Sequence, residues 1–527
     1  MIDFPGLPAA IAAAGPEGLS LVSLIKSPTS RAAVGILAER SALGFSELES
    51  AGTLEMYRCE DRGATLPKVP SPFALFCVDT QRLTSEAEAQ GLCENLMALL
   101  RHHDLHTRPA IALLNGDGRL LTSILPLLST SFLPLTPAEL VGVLLAHPPR
   151  DALYRKLRVR TPISLLNPYV YRGPIGRGLF FGRHDQLKKL SQLQTSYALI
   201  GPRAIGKTSL MNLAFESLLR DGCLAIRVVY SESMGDYDLS YQILDAFIRE
   251  HGADNKLLTK VSPQRVQRLI QDYVMRSSPR KVAVLIDEAD LLADRCPQLA
   301  GVFRQSHNSG WAKFVFVGFR KLRKAVNDQT KLSLTNFLTE LPLSGLSLEE
   351  CGALVVEPML SLGIQFENLE DVVRTIHHES GGSPSRIQLL CHFIVERLSG
   401  QRHRLVGRQQ ALQAIHDPEV RKFLNEWFFE STVPLSRWLA ALATLRLPCP
   451  EERLVDYAVD NFYEFTGWEV KSDIQDLVTA NILDYQADGN LDFTFPAMKE
   501  IARPSGSSAE TMAELRRMAR ESRQKKV

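Results

Sequence analysis

The sequence is short of the features that define several large classes of protein. Its eight cysteines are scattered over 527 residues, with no CxxC pair and no clustering with histidine, so neither a disulfide framework nor a zinc finger is indicated. The 60 lysines and arginines are balanced by 59 acidic residues, giving a net charge of +1. No overall field therefore attracts the chain to nucleic acid or anionic lipid. Buried, reduced thiols are expected.

Signals for membrane insertion and export are also lacking. The one uncharged stretch of spanning length, residues 120–138, contains three prolines, which would interrupt a membrane helix. The first residues include Asp3 but no early basic side chain, unlike a signal peptide. We therefore predict strand and turns within a soluble domain for residues 120–138, a cytoplasmic location and no membrane partner.

The first 160 residues have the pattern of a small α/β domain. Short apolar runs with strand character occupy Phe73–Val78, Ala110–Leu114 and Phe132–Leu135, and leucines at helical spacing follow the first of them. The proline-containing polar stretch before Phe73 is typical of a linker. No catalytic signature occurs here, so the role of this domain is open.

Prolines and glycines concentrated in residues 161–179 predict a domain boundary. Beyond it, apolar runs alternate with helical sequence. The predicted strands are residues 197–200, 224–230, 282–286 and 314–317. Strands that are apolar along their whole length indicate a parallel sheet covered by helices on both faces.

A phosphate-binding motif follows the first of these strands. The pattern G-x-x-x-x-G-K-[ST] is matched in full, and Ser209 continues into helical sequence. Its glycines let backbone N–H groups curl around phosphate oxygens at a helix N-terminus. Lys207 is expected to reach the β- and γ-phosphates, and the Thr208 hydroxyl to ligate Mg²⁺. The motif comprises Gly201, Pro202, Arg203, Ala204, Ile205, Gly206, Lys207 and Thr208.

Two carboxylates end the third apolar strand of this block. Asp287 and Glu288 directly follow residues 282–286, at the strand edge where ligands bind in parallel sheets. Asp287 is expected to hold Mg²⁺ through water, and Glu288 to polarise the attacking water as general base. The Asn-Lys-x-Asp signature of GTPases does not occur downstream of the phosphate-binding motif, which favours ATP as the nucleotide.

With these motifs in place, the sequence resembles the STAND branch of AAA+-like ATPases, which are multidomain signal-transduction proteins. Residues 180–183 (FFGR) resemble the family motif ahead of the P-loop, and residues 314–320 resemble its sensor strand. Residues 341–347 are similar to the hinge between sheet and lid, and residues 380–384 (SGGSP) to the Gly-x-Pro signature of the lid. The resemblance spans residues 165–500 and does not cover the first 160.

The resemblance implies roles for further residues. In the family, the segment that corresponds to Phe181, Gly182 and Arg183 packs by the adenine. Arg320 corresponds to a γ-phosphate sensor. The lid segment containing Pro384 contacts the nucleotide, and Arg386 lies where related AAA+ proteins carry a second sensor arginine. Self-association in the ATP state is also implied.

Residues 433–501 have the pattern of a winged helix, with helical stretches followed by strands around the turn signal Asp488-Gly489-Asn490. On the expected recognition helix, Lys471 is the sole cation against Asp473 and Asp476. A surface that binds DNA normally neutralises several phosphates, so DNA is the disfavoured partner. Packing or autoinhibition is the favoured role, and the charged tail beyond is predicted to be a solvated, partly frayed helix.

The predicted fold is α/β: a P-loop NTPase parallel sheet with a helical lid, a C-terminal winged helix and a small N-terminal α/β domain. The leading function is an ATP-binding and ATP-hydrolysing switch with slow turnover, which takes ATP, ADP and Mg²⁺ and acts on protein partners or on itself. A DNA-handling AAA+ ATPase of the origin-binding or transposition-helper type is the first alternative, and a scaffold that hardly hydrolyses ATP is the second. The predicted units are residues 1–160 (N-terminal domain), 165–345 (ATPase), 346–430 (lid), 431–502 (winged helix) and 503–527 (tail).

Overall fold

The computed structural model describes most of the chain, and the statements below concern that part. The described residues are 31–51, 54–62, 71–80, 83–106, 108–114, 121, 132–173, 175, 177–252, 261–277, 281–327, 334, 337–401, 404–504 and 508–524.

The N-terminal unit is a five-stranded sheet in the order β1-β2-β3-β4-β5, in which the first two pairings are antiparallel and the last two parallel. One face is covered by α2, and the other by α1, α3 and α4. The apolar strands β3, β4 and β5 have the bounds that the sequence predicts. The hairpin β1–β2 was not predicted, because its charged residues lack a clear apolar run. The elements are β1 (Leu43–Ala51), β2 (Leu54–Asp61), β3 (Phe73–Val78), β4 (Ala110–Leu114), β5 (Phe132–Leu135), α1 (Arg31–Arg40), α2 (Glu86–His102), α3 (Pro137–Leu145) and α4 (Pro149–Arg160).

The central unit is a five-stranded sheet in which every pairing is parallel, in the order β10-β6-β9-β8-β7. Its inner strands β6, β8 and β9 are buried almost throughout, whereas the edge strands β7 and β10 are partly exposed. A separate apolar core lies on each face, as the uninterrupted apolar runs predict. The elements are β6 (Tyr197–Ile200), β7 (Leu224–Val229), β8 (Val282–Asp287), β9 (Ala312–Gly318), β10 (Thr339–Pro342), α5 (His184–Gln192), α6 (Lys207–Arg220), α7 (Asp236–His251), α8 (Pro263–Ser277), α9 (Leu292–Arg295), α10 (Pro297–Asn308) and α11 (Arg320–Asn327).

The segment predicted as a lid, residues 346–430, is called the lid below. It is helical, with one short pair of parallel strands. The residues predicted as a hinge, 341–347, begin with the last two residues of β10 and continue to Ser347, whose side chain caps α12. Ser347 accepts a hydrogen bond from the Glu350 N–H, and Glu350 bonds back to Ser347 N–H, which fixes where the helix begins. The elements are α12 (Leu348–Ser361), β11 (Gln365–Phe366), α13 (Leu369–Ser380), α14 (Pro384–Leu398), β12 (Leu405–Val406), α15 (Arg408–Ile415) and α16 (Pro418–Ser431).

The C-terminal helix–hairpin unit, residues 434–502, contains three helices, then an antiparallel hairpin and a short helix. Cys449 forms an antiparallel bridge to Leu491, so a third extended segment flanks the hairpin. Its turn closes through Gln486 N–H to the Asn490 carbonyl at 2.7 Å, with Gly489 at φ +82°. The elements are α17 (Pro434–Ala443), α18 (Glu451–Asn461), α19 (Gly467–Thr479), β13 (Leu483–Tyr485), β14 (Leu491–Phe493) and α20 (Pro496–Ala502).

The tail helix α21 (Ser508–Gln524) packs along α17. The side chains of Leu515 and Ala519 are fully buried there, and Arg523 forms an ion pair with Glu469 at 2.7 Å. The prediction of a solvated, partly frayed helix is therefore wrong. The charge count of the tail concealed an apolar stripe that finds its partner only in the folded chain.

One continuous apolar core joins the N-terminal unit, the lid and the helix–hairpin unit. The segment after α4 crosses the lid, where the Tyr169 hydroxyl donates to the Val355 carbonyl at 2.8 Å. The Arg158 guanidinium donates to the Ser361 carbonyl at 3.1 Å. The N-terminal unit is thus attached to the lid by buried contacts.

None of the described helices has both the length and the apolar character needed to cross a bilayer. Most of the uncharged stretch 120–138 lies outside the described residues. The last part of it forms β5 and begins α3.

Candidate functional site

The loop between β6 and α6 wraps around a helix N-terminus. Ala204 and Gly206 have φ of +61° and +94°, and these left-handed turns direct successive N–H groups inward. A Cβ on Gly201 would lie 3.0 Å from the Leu343 carbonyl oxygen, so glycine lets this loop approach the sheet-to-lid connection. Ser209 fixes the outer side by accepting a hydrogen bond from Ile175 N–H at 3.1 Å.

Lys207 opens α6 and bends back over the loop. Its ammonium donates to the carbonyls of Gly201 at 2.9 Å and Pro202 at 2.8 Å. Burial lowers the pKa of Lys207, and the nearby carboxylates of Glu288 and Asp287 oppose that shift. This partly buried ammonium donates, among the described residues, to neutral carbonyls, which suits a group that receives an anion.

Thr208 and Asp287 meet across the floor of the site. The Thr208 hydroxyl donates to Asp287 Oδ2 at 2.8 Å, and Asp287 is only 4% exposed at the end of β8. A hydroxyl and a carboxylate are hard oxygen donors of the kind that Mg²⁺ takes. Their contact places both predicted metal ligands at one point, so the residues fit a hydrated magnesium ion.

Glu288 stands next to this pair in an unusual backbone conformation. Its φ of +56° is left-handed, and its N–H donates to Asp287 Oδ1 at 3.0 Å. This turn leaves the Glu288 side chain exposed at the rim of the cavity. Sparsely populated backbone conformations are common where a site dictates side-chain direction, and this one separates the two neighbouring carboxylates.

A cavity of about 440 Å³ lies over the P-loop. Lys207, Thr208 and Glu288 line one side, and residues of the lid helices α14 and α16 line the other. Within α14, Pro384 lines the cavity, and the Ser385 hydroxyl donates to the Tyr171 carbonyl at 2.9 Å. The enclosure between sheet and lid has the size and polarity of a nucleotide site.

Sequence reasoning did not identify the outer wall. Phe423 and Trp427 of α16 line the cavity, and Trp427 Nε1 donates to the Arg203 carbonyl at 3.3 Å. Tyr171 packs edge-on against Phe423, with ring centroids 5.7 Å apart. The four-residue spacing of Phe423 and Trp427 signals a shared helical face, but nothing in the spacing indicates that this face meets the P-loop.

Charged pairs connect the same wall to the P-loop side. Arg203 lies 3.4 Å from Glu430, and Arg172 lies 3.5 Å from Glu426. All four side chains are about half exposed or more, so each pair contributes little stability. Their relevance is electrostatic, because the carboxylates of Glu426 and Glu430 face a cavity that is expected to take a polyanion.

The segment predicted to pack by the adenine lies at the hinge, and Phe181, Gly182 and Arg183 are not among the cavity-lining residues. Arg183 N–H donates to Glu350 Oε1 at 2.9 Å, and its guanidinium to the Ser344 carbonyl at 2.8 Å. A Cβ on Gly182, where φ is +72°, would overlap the Glu350 carboxylate. Burial lowers the pKa of Arg183 to about 10, against the opposing charge of Glu350.

Arg320, predicted as a γ-phosphate sensor, begins α11 beyond the end of β9 and does not line the cavity. Its guanidinium donates to the Ser431 carbonyl at 2.5 Å and lies 3.8 Å from an Asp476 carboxylate oxygen. Burial lowers the pKa of Arg320, and Asp476 opposes the shift. Asp290 caps this helix by accepting hydrogen bonds from the N–H groups of Phe319 and Leu322. Arg320 therefore joins the sheet edge to the helix–hairpin unit.

Arg386, the second expected sensor, is 3% exposed and does not line the cavity either. Its guanidinium is held between the rings of Trp427 and Phe495, at 4.6 and 4.1 Å from their centroids. Nε donates to the Ser380 carbonyl at 2.7 Å, while Nη1 and Nη2 have no hydrogen-bond partner among the described residues. Burial lowers the pKa of Arg386 to about 9.

Comparison with known proteins agrees with this geometry. Residues 190–326 match the family model of an AAA domain, and this stretch contains the P-loop, Asp287, Glu288 and the strand before Arg320. The central unit is therefore similar to an AAA-type P-loop ATPase. No curated protein matches the chain.

Solved structures match about three fifths of the chain. A Walker-type ATPase of Pyrococcus abyssi is 14% identical, covering 62% of this chain and 96% of its own, with a TM-score of 0.48. The Aeropyrum pernix ORC2 protein in ADPNP–ADP complexes is 12% identical, covering 65% and 94%, with a TM-score of 0.43. The Thermotoga maritima RuvB Holliday junction branch migration motor is 15% identical, covering 62% and 97%, with a TM-score of 0.33. Values this low carry no statement about function.

Proposed function

We propose that this protein is an ATP-driven switch of the STAND type, in which nucleotide bound between sheet and lid controls the docking of the helix–hairpin unit. We assign residues 431–502 as a winged helix and residues 346–430 as the lid. Slow, regulatory hydrolysis fits this role, because a switch that turned over quickly would not hold its state.

The position of α16 is the main support for this proposal. This helix forms a wall of the cavity through Phe423 and Trp427, and its last residue, Ser431, receives the Arg320 hydrogen bond. A ligand that alters the fit of α16 therefore acts on the contact between Arg320 and Asp476. Binding can shift such an arrangement only if it favours one docking geometry over the other.

The residues around the cavity have separable tasks. The P-loop N–H groups and Lys207 would bind phosphate oxygens, while Thr208 and Asp287 would hold the magnesium ion. Mg²⁺ would supply charge neutralisation of the phosphates when bound. Glu288 would orient the attacking water and accept its proton at the carboxylate.

Arg386 supports a switch over a rigid ATPase. Its buried guanidinium has two nitrogens without a hydrogen-bond partner in the described part of the chain, so its burial is poorly compensated despite the two flanking rings. A rearrangement that gave it a phosphate oxygen would relieve that cost. Because Phe495 belongs to the helix–hairpin unit, the same movement would loosen the contact of that unit with the lid.

The N-terminal unit would read the state through the lid. Arg158 in this unit and Tyr169 in the segment just after it both donate to carbonyls of the lid helix α12, so a lid movement would be transmitted to the N-terminal sheet. We infer that residues 1–160 carry the output or sensing role.

Hydrogen exchange tests the switch directly. Exchange should be followed by mass spectrometry in the full chain without nucleotide, with Mg-ADP and with Mg-ATP, using Glu288→Gln to prevent turnover. We expect peptides covering Gly467–Thr479 to exchange faster with Mg-ATP than with Mg-ADP, and Lys207→Ala to remove the difference. Equal exchange in all three conditions, with nucleotide binding confirmed separately, would refute the coupling.

A DNA-handling ATPase is the second candidate. In its favour, α21 exposes Arg516 and Arg520 on one face. Against it, α19 is occupied within the chain, because Asp476 meets Arg320 and the Thr479 hydroxyl accepts from Arg323 at 2.8 Å. DNA contact by this helix would require those bonds to open.

A further inference from the structure

A cluster of possible metal ligands lies in the N-terminal unit, far in sequence from the nucleotide site. One ligand atom each from Glu49, His102 and His103 lies within 4.8 Å of the other two. Within the described part of the chain, this is the one such group of three. The nucleotide chemistry makes no use of it.

The fold brings these residues together through a β-bulge. In β1, Glu47 pairs with Tyr57 but Glu49 pairs with Met56, so Leu48 is an extra residue. Paired residues share a face of a sheet, and Met56 belongs to the apolar core beneath α2. Without the bulge, Glu49 would face the other side. The bulge therefore turns the Glu49 carboxylate towards α2.

The two histidines come from the end of that helix. His102 is the last residue of α2, and His103 caps it by donating its N–H to the Leu99 carbonyl at 3.1 Å. Leaving the helix at this point lets neighbouring residues point to one place, which regular helical spacing would prevent. The negative end of the helix dipole also favours a cation here.

We propose that Glu49, His102 and His103 bind a divalent transition-metal ion of the zinc class, with water completing the coordination. His103 Nε2 already lies 3.1 Å from Glu49 Oε1, near the distance of about 3.3 Å between two ligands of a tetrahedral zinc ion. The exposed His102 ring brings its ligand atom within 4.8 Å of the other two. Two imidazoles and one carboxylate select zinc-class ions over Mg²⁺ or Ca²⁺.

The site would tie the edge strand of the sheet to the helix that covers it. Among the described residues, strand β1 pairs with β2 alone, so it is an edge strand with one row of unpaired backbone groups. A bound ion would hold β1 against α2 while leaving one coordination position open to solvent. The side chains of Glu49 and His103 are 40% and 21% exposed, so an ion could enter without unfolding.

Zinc titration of the full chain tests the site. The protein would be dialysed against EDTA, freed of chelator and titrated with ZnCl₂ by calorimetry without nucleotide, with Co²⁺ absorption reporting tetrahedral coordination. The variants are His102→Ala, His103→Ala and Glu49→Gln, and the control is His184→Ala, an exposed histidine at the start of α5. Circular dichroism checks folding, which His102→Ala should not disturb because that side chain is exposed.

We expect one zinc ion at micromolar affinity, and binding weaker by on the order of 100-fold in each ligand variant, while His184→Ala binds as the parent does. Parental affinity in His102→Ala and His103→Ala would overturn the proposal, as would failure of the parent to bind zinc. In that case the Glu49–His103 contact is only an ion pair. ATP binding is unaffected in either case, so the result is independent of the proposed function.

Discussion

The two five-stranded sheets of this protein differ in where their polar residues lie. In the central sheet every strand is parallel, so the ends of β6 and β8 meet at one edge and bring Lys207, Thr208 and Asp287 together. The N-terminal sheet is mixed, and its antiparallel hairpin β1–β2 places charged residues along an edge strand. Its ligand cluster lies at that edge.

The difference shows how strand topology determines where functional side chains can come together. Parallel strands need crossover helices, which cover both faces and leave the strand ends as the available site. An antiparallel hairpin has a free edge, where a single bulge can redirect a side chain. Both arrangements position charged groups, but only the parallel sheet does so with residues at a fixed spacing that can be recognised as a sequence motif.

The largest expected effect is on ATP turnover. It distinguishes Glu288, which follows a buried strand of the central sheet, from Asp79, which follows a buried strand of the N-terminal sheet. Glu288→Gln should retain ATP binding but lower turnover by on the order of 10²–10⁴, because an amide cannot accept the proton of water. The matched change in the N-terminal sheet, Asp79→Asn after β3, should leave turnover unchanged. Steady-state phosphate release measures both. Parental turnover by Glu288→Gln would exclude it as the base.

The next effect is on affinity. Lys207→Ala removes the ammonium that the P-loop presents, and two charge-assisted contacts to phosphate are together worth about 3 kcal/mol or more. Binding of a fluorescent ATP analogue should therefore weaken by at least about 100-fold. The exposed Lys188→Ala, on α5, is the control and should bind as the parent does. Equal affinities for Lys207→Ala and the parent would contradict the P-loop assignment.

A smaller effect is expected where the central sheet meets the helix–hairpin unit. Arg320→Ala removes the bond to Ser431 and the ion pair with Asp476, and should cost about 1–2 kcal/mol of stability. Burial lowers the pKa of Arg320 and raises that of Asp476, so desolvation offsets part of the attraction. A double-mutant cycle with Asp476→Asn, measured by urea unfolding, isolates the pair. A coupling of zero would show that only the Ser431 bond matters.

The buried thiols of the N-terminal sheet should make the stability of the protein depend on pH. Burial raises the pKa of Cys59 and of Cys77 to about 12, from 9.0. The folded state therefore holds both protons where the unfolded chain releases them, so stability is retained below about pH 9 and falls between pH 9 and 12. At pH 8, iodoacetamide should alkylate the partly exposed Cys449 before Cys59 or Cys77. Equally rapid labelling of all three would contradict this burial.

We expect the full chain not to bind duplex DNA with useful affinity. The acidic residues of α19 should prevent useful binding to a duplex, and α21 packs on α17, so the full chain is the proper test material. Fluorescence anisotropy at low and physiological salt should detect no specific binding. If weak, salt-sensitive binding occurs, Arg516→Glu with Arg520→Glu should abolish it. Tight binding that survives this double change would favour the DNA-handling candidate.

The sequence predicted the central sheet well, because its signals are local. Uninterrupted apolar runs specify buried parallel strands, and four of the five strands were located to within two residues. The fifth, β10, was read as part of the hinge, since its polar ends resemble a loop. The hairpin β1–β2 is not predicted because its charged residues leave no clear apolar run, and the charges of α21 conceal its buried face.

For the site, the phosphate loop and the two carboxylates can be located from the sequence, since strand, loop and helix are contiguous and their chemistry depends on residue type at fixed spacing. What surrounds them depends on how distant segments pack together. Trp427 and Phe423 reach the cavity because the lid folds back over the sheet, and Arg320 and Arg386 contact the helix–hairpin unit because it docks there. Glu49 contacts His103 because a β-bulge directs the Glu49 side chain towards α2. Contacts between distant segments depend on packing across many elements, and no local spacing encodes them.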